Sequence, residues 1–131
     1  MQKYKTEYWS VNVPTLWGAE HADGSDILYD KAGVGELVFS TIFQTDGITD
    51  EQLEELASEH IDADAVFEDV NPGDFSGFAV SYLKGEEYWS EWFLRTDNCL
   101  LFISYNCDEG NEEVDEDVVE SILESLEEVS K

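Results

Sequence analysis

Apolar and polar positions alternate along residues 4–13, where Trp9, Val11 and Val13 are separated by Ser10 and Asn12 before Pro14 ends the run. A period of two predicts a half-buried strand, because successive strand side chains point to opposite faces. Residues 16–21 carry a fainter version of the pattern and stop at the turn-forming run Ala22-Asp23-Gly24-Ser25-Asp26. Ile27-Leu28-Tyr29 reads as a short strand and residues 36–44 as the next, with Ala32-Gly33-Val34-Gly35 turning between them. The pattern then changes period. Leu53, Leu56, Ala57 and Ile61 fall on one stripe of a helix, with Glu54, Glu55 and Glu59 mostly off it. Thr49 and Gln52 form a reciprocal capping pair, Ile48 and Leu53 occupy the staple positions, and Asp50 and Glu51 suit the positive end of the helix dipole.

Downstream, residues 62–74 connect, with a short strand expected at Ala65-Val66-Phe67 and a turn at Asn71-Pro72-Gly73-Asp74. Three strands follow at 75–83, 87–95 and 99–106, joined by short turns, which predicts antiparallel hairpins. A last helix is predicted over 113–129, with Val114, Val118, Ile122, Leu126 and Val129 inward and a row of carboxylates outward. The elements run β-β-β-α-(β)-β-β-β-α, about six strands. Strand runs each closed by a helix predict an α+β fold, an antiparallel sheet covered by helices. No linker or repeat divides residues 1–131, so one domain is expected.

Charge changes this picture most. The 131 residues carry 32 Asp and Glu against 6 Lys and Arg, a formal net charge of −26. The hydrophobic fraction of 42%, with 13% aromatic, is nevertheless enough for a packed core, so acidity here does not mean disorder. Nucleic-acid affinity depends on several cations neutralising phosphates, and an anionic membrane presents the same demand. Neither is an expected partner. No apolar stretch is long enough for a signal-peptide core or a membrane span, so a soluble cytoplasmic protein is expected.

Candidate chemistry is sparse. Cys99 and Cys107 lie eight residues apart on one predicted strand, roughly 26 Å at the usual rise, whereas a disulfide needs Cα atoms within about 7 Å. They are expected to be buried, unlinked thiols. His21 and His60 stand alone, without metal-ligand spacing. The acidic stretches at 23–26 and 108–119 lack an ordered calcium-loop pattern. Gly33-Val34-Gly35 precedes a strand, not a helix, so it is no dinucleotide site. Neither cofactor nor metal is predicted, and no catalytic signature is found.

The aromatic run Tyr88-Trp89-Ser90-Glu91-Trp92-Phe93 places Tyr88, Ser90 and Trp92 on one face and Trp89, Glu91, Phe93 and Arg95 on the other. Bulk on both faces predicts a central strand covered on both sides. Glu91 needs a partner there; the run reads as an aromatic core with a satisfied ion pair or, as the alternative, as a binding pocket near Trp89, Glu91 and Arg95.

Several stretches also carry a resemblance: Val11-Asn12-Val13-Pro14, Gly33-Val34-Gly35 running into Leu37-Val38-Phe39-Ser40, Ile48-Thr49-Asp50, Tyr88-Trp89-Ser90-Glu91-Trp92, residues 101–107 and residues 122–126. Over nearly the whole chain they resemble a group of small, uncharacterised bacterial cytoplasmic proteins. The element order is similar to the PsbP-like sandwich, an antiparallel sheet between helices. The resemblance implies that fold and no catalytic residues; some proteins of this kind accompany secreted toxins as immunity partners. Three readings follow. The first is a non-enzymatic module that covers a basic protein, with Glu51, Glu55, Glu120 and Glu124 as candidate contacts. The second is a small-molecule-binding protein or enzyme with its pocket at Trp89, Glu91 and Arg95. The third is that the acidity is solely an adaptation to salt.

Overall fold

The computed structural model describes residues 2–22, 25–30, 35–60, 67–108, 110–111 and 116–129, with backbone alone at 22 and 57–60. Strands β1 (Gln2–Lys5) and β2 (Trp9–Val13) form a hairpin. β3 (Trp17–Ala22), β4 (Ser25–Asp30) and β5 (Glu36–Phe43) then run as an antiparallel meander. Helix α1 (Asp50–His60) carries the chain to the far edge of the same sheet. From there β6 (Glu68–Val70), β7 (Ser76–Lys84), β8 (Glu87–Arg95) and β9 (Cys99–Asp108) step back until β9 pairs with β5. The resulting seven-stranded order is β3-β4-β5-β9-β8-β7-β6. Helix α2 (Glu116–Glu124) follows, and β10 (Glu127–Glu128) joins the first hairpin in a three-stranded sheet ordered β1-β2-β10.

The α+β, helix-covered antiparallel architecture matches the expectation, but the described residues form ten strands against about six expected. Five precede α1, and one follows α2. Two of the differences have a clear local cause. The single strand expected over 4–13 is broken at Thr6, whose Oγ accepts the backbone N–H groups of Tyr8 (3.3 Å) and Trp9 (3.1 Å) and folds the chain back. A Thr-based turn contains neither Gly nor Pro and gives a weak sequence signal. The helix predicted to run to 129 stops at Glu124. The Ser125 hydroxyl bonds the Ile122 carbonyl at 2.6 Å, and Leu126 N–H reaches only three residues back to Leu123. Glu127 and Glu128 then pair with β2. The short strand is β6, at 68–70; Ala65 and Val66 lie outside the described residues, as do Gly33, Val34 and residues 113–115.

The seven-stranded sheet is covered on both faces. On one, Ile48 and Leu53 pack with Val80, Phe93 and Leu100 beneath α1. The predicted cap is formed: Thr49 N–H donates to Gln52 Oε1 (3.0 Å) and Gln52 N–H to Thr49 Oγ1 (3.2 Å). On the other face, Leu37, Phe39, Leu94, Leu101 and Ile103 meet Trp9 and Val11 of the small sheet and Val119, Ile122 and Leu123 of α2. Trp9 stacks on Phe39 with centroids 4.6 Å apart and donates its indole N–H to Thr41 at 2.8 Å. Gly73 fixes where the segment after α2 lands. Its φ is +60°, and a Cβ there would lie 1.9 Å from the Leu126 carbonyl oxygen. The neighbouring Asp74 N–H donates to that same oxygen at 2.9 Å.

Candidate functional site

Strand β8 is the central element the sequence predicts, lying between β9 and β7, and its two faces differ. Trp89, Glu91, Phe93 and Arg95 face the α1 side. Glu91 is 5% exposed, and the Tyr82 hydroxyl of the adjacent strand donates to its Oε1. Arg95 does not reach it. Its Nε donates to Asp50 Oδ1 at 2.8 Å and one terminal nitrogen to the Ile48 carbonyl at 2.9 Å. The guanidinium thus clamps the start of α1 onto the sheet. Glu91 and Arg95 are engaged by different partners, Glu91 in the buried interior and Arg95 at the surface through the exposed Asp50.

Tyr88, Ser90 and Trp92 face the other way and floor a cleft of about 480 Å³ between β6–β8 and α2. The floor is aromatic and hydroxylic. Ser81 and Ser90 share a hydrogen bond of 2.8 Å across the β7–β8 register, and Ser90 Oγ donates to the Tyr88 hydroxyl at 3.0 Å. Tyr105, from β9, contributes to the same lining. Glu116, Glu120 and Glu124 recur every four residues along α2 and form one wall, with Glu68 of β6 also bordering the opening. No basic side chain lines the cleft among the described residues. Like charges four residues apart on a helix repel, and α2 has no basic residue in its last turn to offset Glu124. The negative potential in the cleft is therefore uncompensated from within.

The four predicted contact carboxylates divide between these faces. Glu120 and Glu124 line the cleft; Glu51 and Glu55 are exposed on α1, on the opposite side of the sheet. One flat partner cannot touch all four. Sequence reasoning found half of this wall and overlooked Glu68, Glu116, Ser81 and the floor. The available signal was the spacing Glu116-Glu120-Glu124 opposite the alternating Tyr88-Ser90-Trp92 stripe.

A second cavity, of about 420 Å³, lies where the two sheets meet. Asp26, 6% exposed, accepts from the Tyr4 hydroxyl at 2.5 Å and lies 2.9 Å from His21 Nδ1. Burial first, then the hydrogen bond to Asp26 and its charge, push the Tyr4 phenol up to about 12. Through Asp26, shared by the Tyr4 hydroxyl and His21 Nδ1, the cluster ties β1 to the β3–β4 hairpin. The His60 side chain lies outside the described residues. Among those described, no three His, Cys, Asp or Glu side chains converge in a way that could hold a metal ion. Cys99 and Cys107 are both buried and not joined by a disulfide, as their common strand requires, and burial, with a smaller effect from Glu128, pushes the Cys99 thiol up to about 12. Such a thiol is a poor nucleophile at neutral pH. No described helix is long and apolar enough to cross a membrane.

No protein-family model matches the sequence, and no curated protein matches it significantly. Solved structures that share its fold include the following two. One, from Bacteroides thetaiotaomicron VPI-5482, superposes with a TM-score of 0.67 at 18% identity, covering 94% of this chain. This chain spans 46% of that protein's length. The other is cyanobacterial PsbP (CyanoP) from Synechocystis sp. PCC 6803, with a TM-score of 0.62 at 12% identity over 98% of this chain and 92% of the other. The chain thus has a PsbP-like fold.

Proposed function

We propose that this protein is a non-enzymatic binding module for a basic protein, of the immunity type in which an acidic partner covers a cationic enzyme or toxin. The observation that carries this reading is the cleft beside α2: a wall of Glu116, Glu120 and Glu124 over an aromatic floor, with no basic residue lining it among the described residues. A net charge of −26 accelerates encounter with a cationic surface, and the cleft supplies a place where that encounter becomes specific. The contact face is α2 with the β6–β8 end of the sheet; Glu51 and Glu55 contribute long-range potential from the far side.

The test is capture from the source cell at physiological ionic strength, followed by a charge-reversal pair. A basic protein is expected on the immobilised wild type and should be lost from the Glu120→Lys, Glu124→Lys variant. The corresponding Glu51→Lys, Glu55→Lys variant should slow association while retaining the complex. Equal loss from both variants, or a partner indifferent to salt, would remove the proposal.

The second reading, a small-molecule site, draws its support from the same cleft. Of Trp89, Glu91 and Arg95, Glu91 already accepts from Tyr82 and Arg95 already donates to Asp50 and the Ile48 carbonyl. A thermal-shift screen repeated on Glu91→Gln and on Trp92→Leu separates the two locations. A ligand whose shift survives in Glu91→Gln and vanishes in Trp92→Leu belongs to the α2 side.

A further inference from the structure

The cleft's floor has a chemistry of its own, distinct from the acid around it. Ser81, Ser90 and Tyr88 bring three hydroxyl protons and six lone pairs; their two internal hydrogen bonds consume two of each, leaving one proton against four lone pairs. A floor with surplus acceptors suits a ligand rich in N–H donors. Trp92 and Tyr88 add aromatic surface that attracts a cation and tolerates methylene groups. Glu120 and Glu124 stand over this surface as the counter-charge.

We infer that the cleft beside α2 is a site for a primary ammonium carried on an aliphatic chain, its methylenes against Trp92 and its three N–H donors shared among the Tyr88–Ser90 hydroxyls and the Glu120 and Glu124 carboxylates. A divalent metal suits the site poorly, because its carboxylates are spaced along a helix and do not converge. A planar guanidinium gains most from a bidentate carboxylate in its own plane, whereas a tetrahedral ammonium uses acceptors arriving from floor and wall. This assignment rests on the binding reading above and deepens it: the ammonium is a lysine side chain of the basic partner. A free polyamine offers the same chemistry, and the experiment separates the two.

The test is isothermal titration of the intact protein with a lysine-rich peptide, the matching arginine peptide and spermidine, at physiological and at raised salt. The lysine peptide is expected to bind better than the arginine peptide. Trp92→Leu should weaken it by about two- to thirty-fold, the range of a cation held over an aromatic ring. Tyr88→Phe, which removes one oxygen and leaves the ring, should weaken it less and guards against a floor variant that fails to fold. Glu120→Gln with Glu124→Gln should weaken it, while Glu51→Gln with Glu55→Gln, equal in charge, should not. Equal binding of the two peptides, equal losses from both carboxylate pairs, or affinity unmoved in Trp92→Leu and Tyr88→Phe would overturn the assignment. Spermidine binding more tightly than the peptide keeps the ammonium site and removes the protein partner. A basic partner captured undiminished by Trp92→Leu keeps the partner and removes the site.

Discussion

The two faces of strand β8 hold comparable aromatic and polar material, and they are completed in opposite ways. Toward α1, polar groups are paired by the fold's own residues: Glu91 with Tyr82 in the interior, and Arg95 with the Ile48 carbonyl and the exposed Asp50. Toward α2, the hydroxyl chain ends in a cleft whose wall is three like charges with no basic residue among them. A buried charge draws attention in a sequence, yet here it is the face without one that remains open. Buried charge has to be paired for the fold to stand; a ligand finds free groups where the fold has left them over.

That contrast can be broken from the α1 side first. Phe93 is fully buried, its ring centroid 5.0 Å from Phe102 and 5.9 Å from Phe78. Phe93→Ala should cost about 3–5 kcal/mol in urea unfolding, by lost burial and the cavity left behind. Its folded fraction should still bind ligand at the α2 face. Tyr82→Phe is smaller: it withdraws the hydroxyl from Glu91 and should cost about 1–3 kcal/mol. With Glu91→Gln the two losses should fall short of additive, which is the signature of a shared bond.

Alkali probes two groups outside the contrast, both on the small-sheet side of the core. The Cys99 and Tyr4 side chains have ordinary values of 9.0 and 10.0, and both are raised to about 12 in the folded protein. Folding therefore favours their neutral forms. The stability this supplies is complete below pH 9.0 and is lost as pH climbs toward about 12. Urea midpoints should fall over that window, and the fall should flatten in Tyr4→Phe. Both cysteines should resist a thiol reagent at neutral pH and react once the chain is unfolded.

How far these features could be read in advance depended on whether their signals were local. The α1 cap was fully legible, because Thr49 and Gln52 answer each other within one turn. So were the three-strand meander, through its turns and alternation, and the separation of Cys99 from Cys107. Legibility failed where a side chain redirected the backbone without Gly or Pro, at Thr6, and where helical periodicity outlasted the helix. Leu126 sits in the core as the helical pattern predicts, but it reaches the core from the turn between α2 and β10, its carbonyl held by the Asp74 N–H. The cleft was illegible for a third reason. Ser81 and Ser90 become one hydroxyl chain only through the β7–β8 register, and Glu68 joins Glu120 only through the order of the sheet.

Smaller effects sharpen the comparison between the helices. Thr49→Ala removes the acceptor for Gln52 N–H and should cost about 1 kcal/mol. It should not alter binding, because α1 and the cleft are on opposite sides of the sheet.

The smallest effect is the most discriminating. Glu124 sits in the last turn of α2, four residues from Glu120, so both the helix dipole and its neighbour oppose its charge. Glu124→Gln should therefore raise stability by a few tenths of a kcal/mol at low ionic strength, and the gain should fade as salt screens the repulsion. Glu51, in the first turn of α1, faces the favourable end of its dipole, so Glu51→Gln should move stability the other way. Paired thermal melts at low and high salt read both signs. Should Glu124→Gln instead lower the melting temperature at low salt, its carboxylate is held by a contact within the fold. The wall of the cleft would then be as internally committed as the α1 face, and no difference between the two sides would remain for a ligand to exploit.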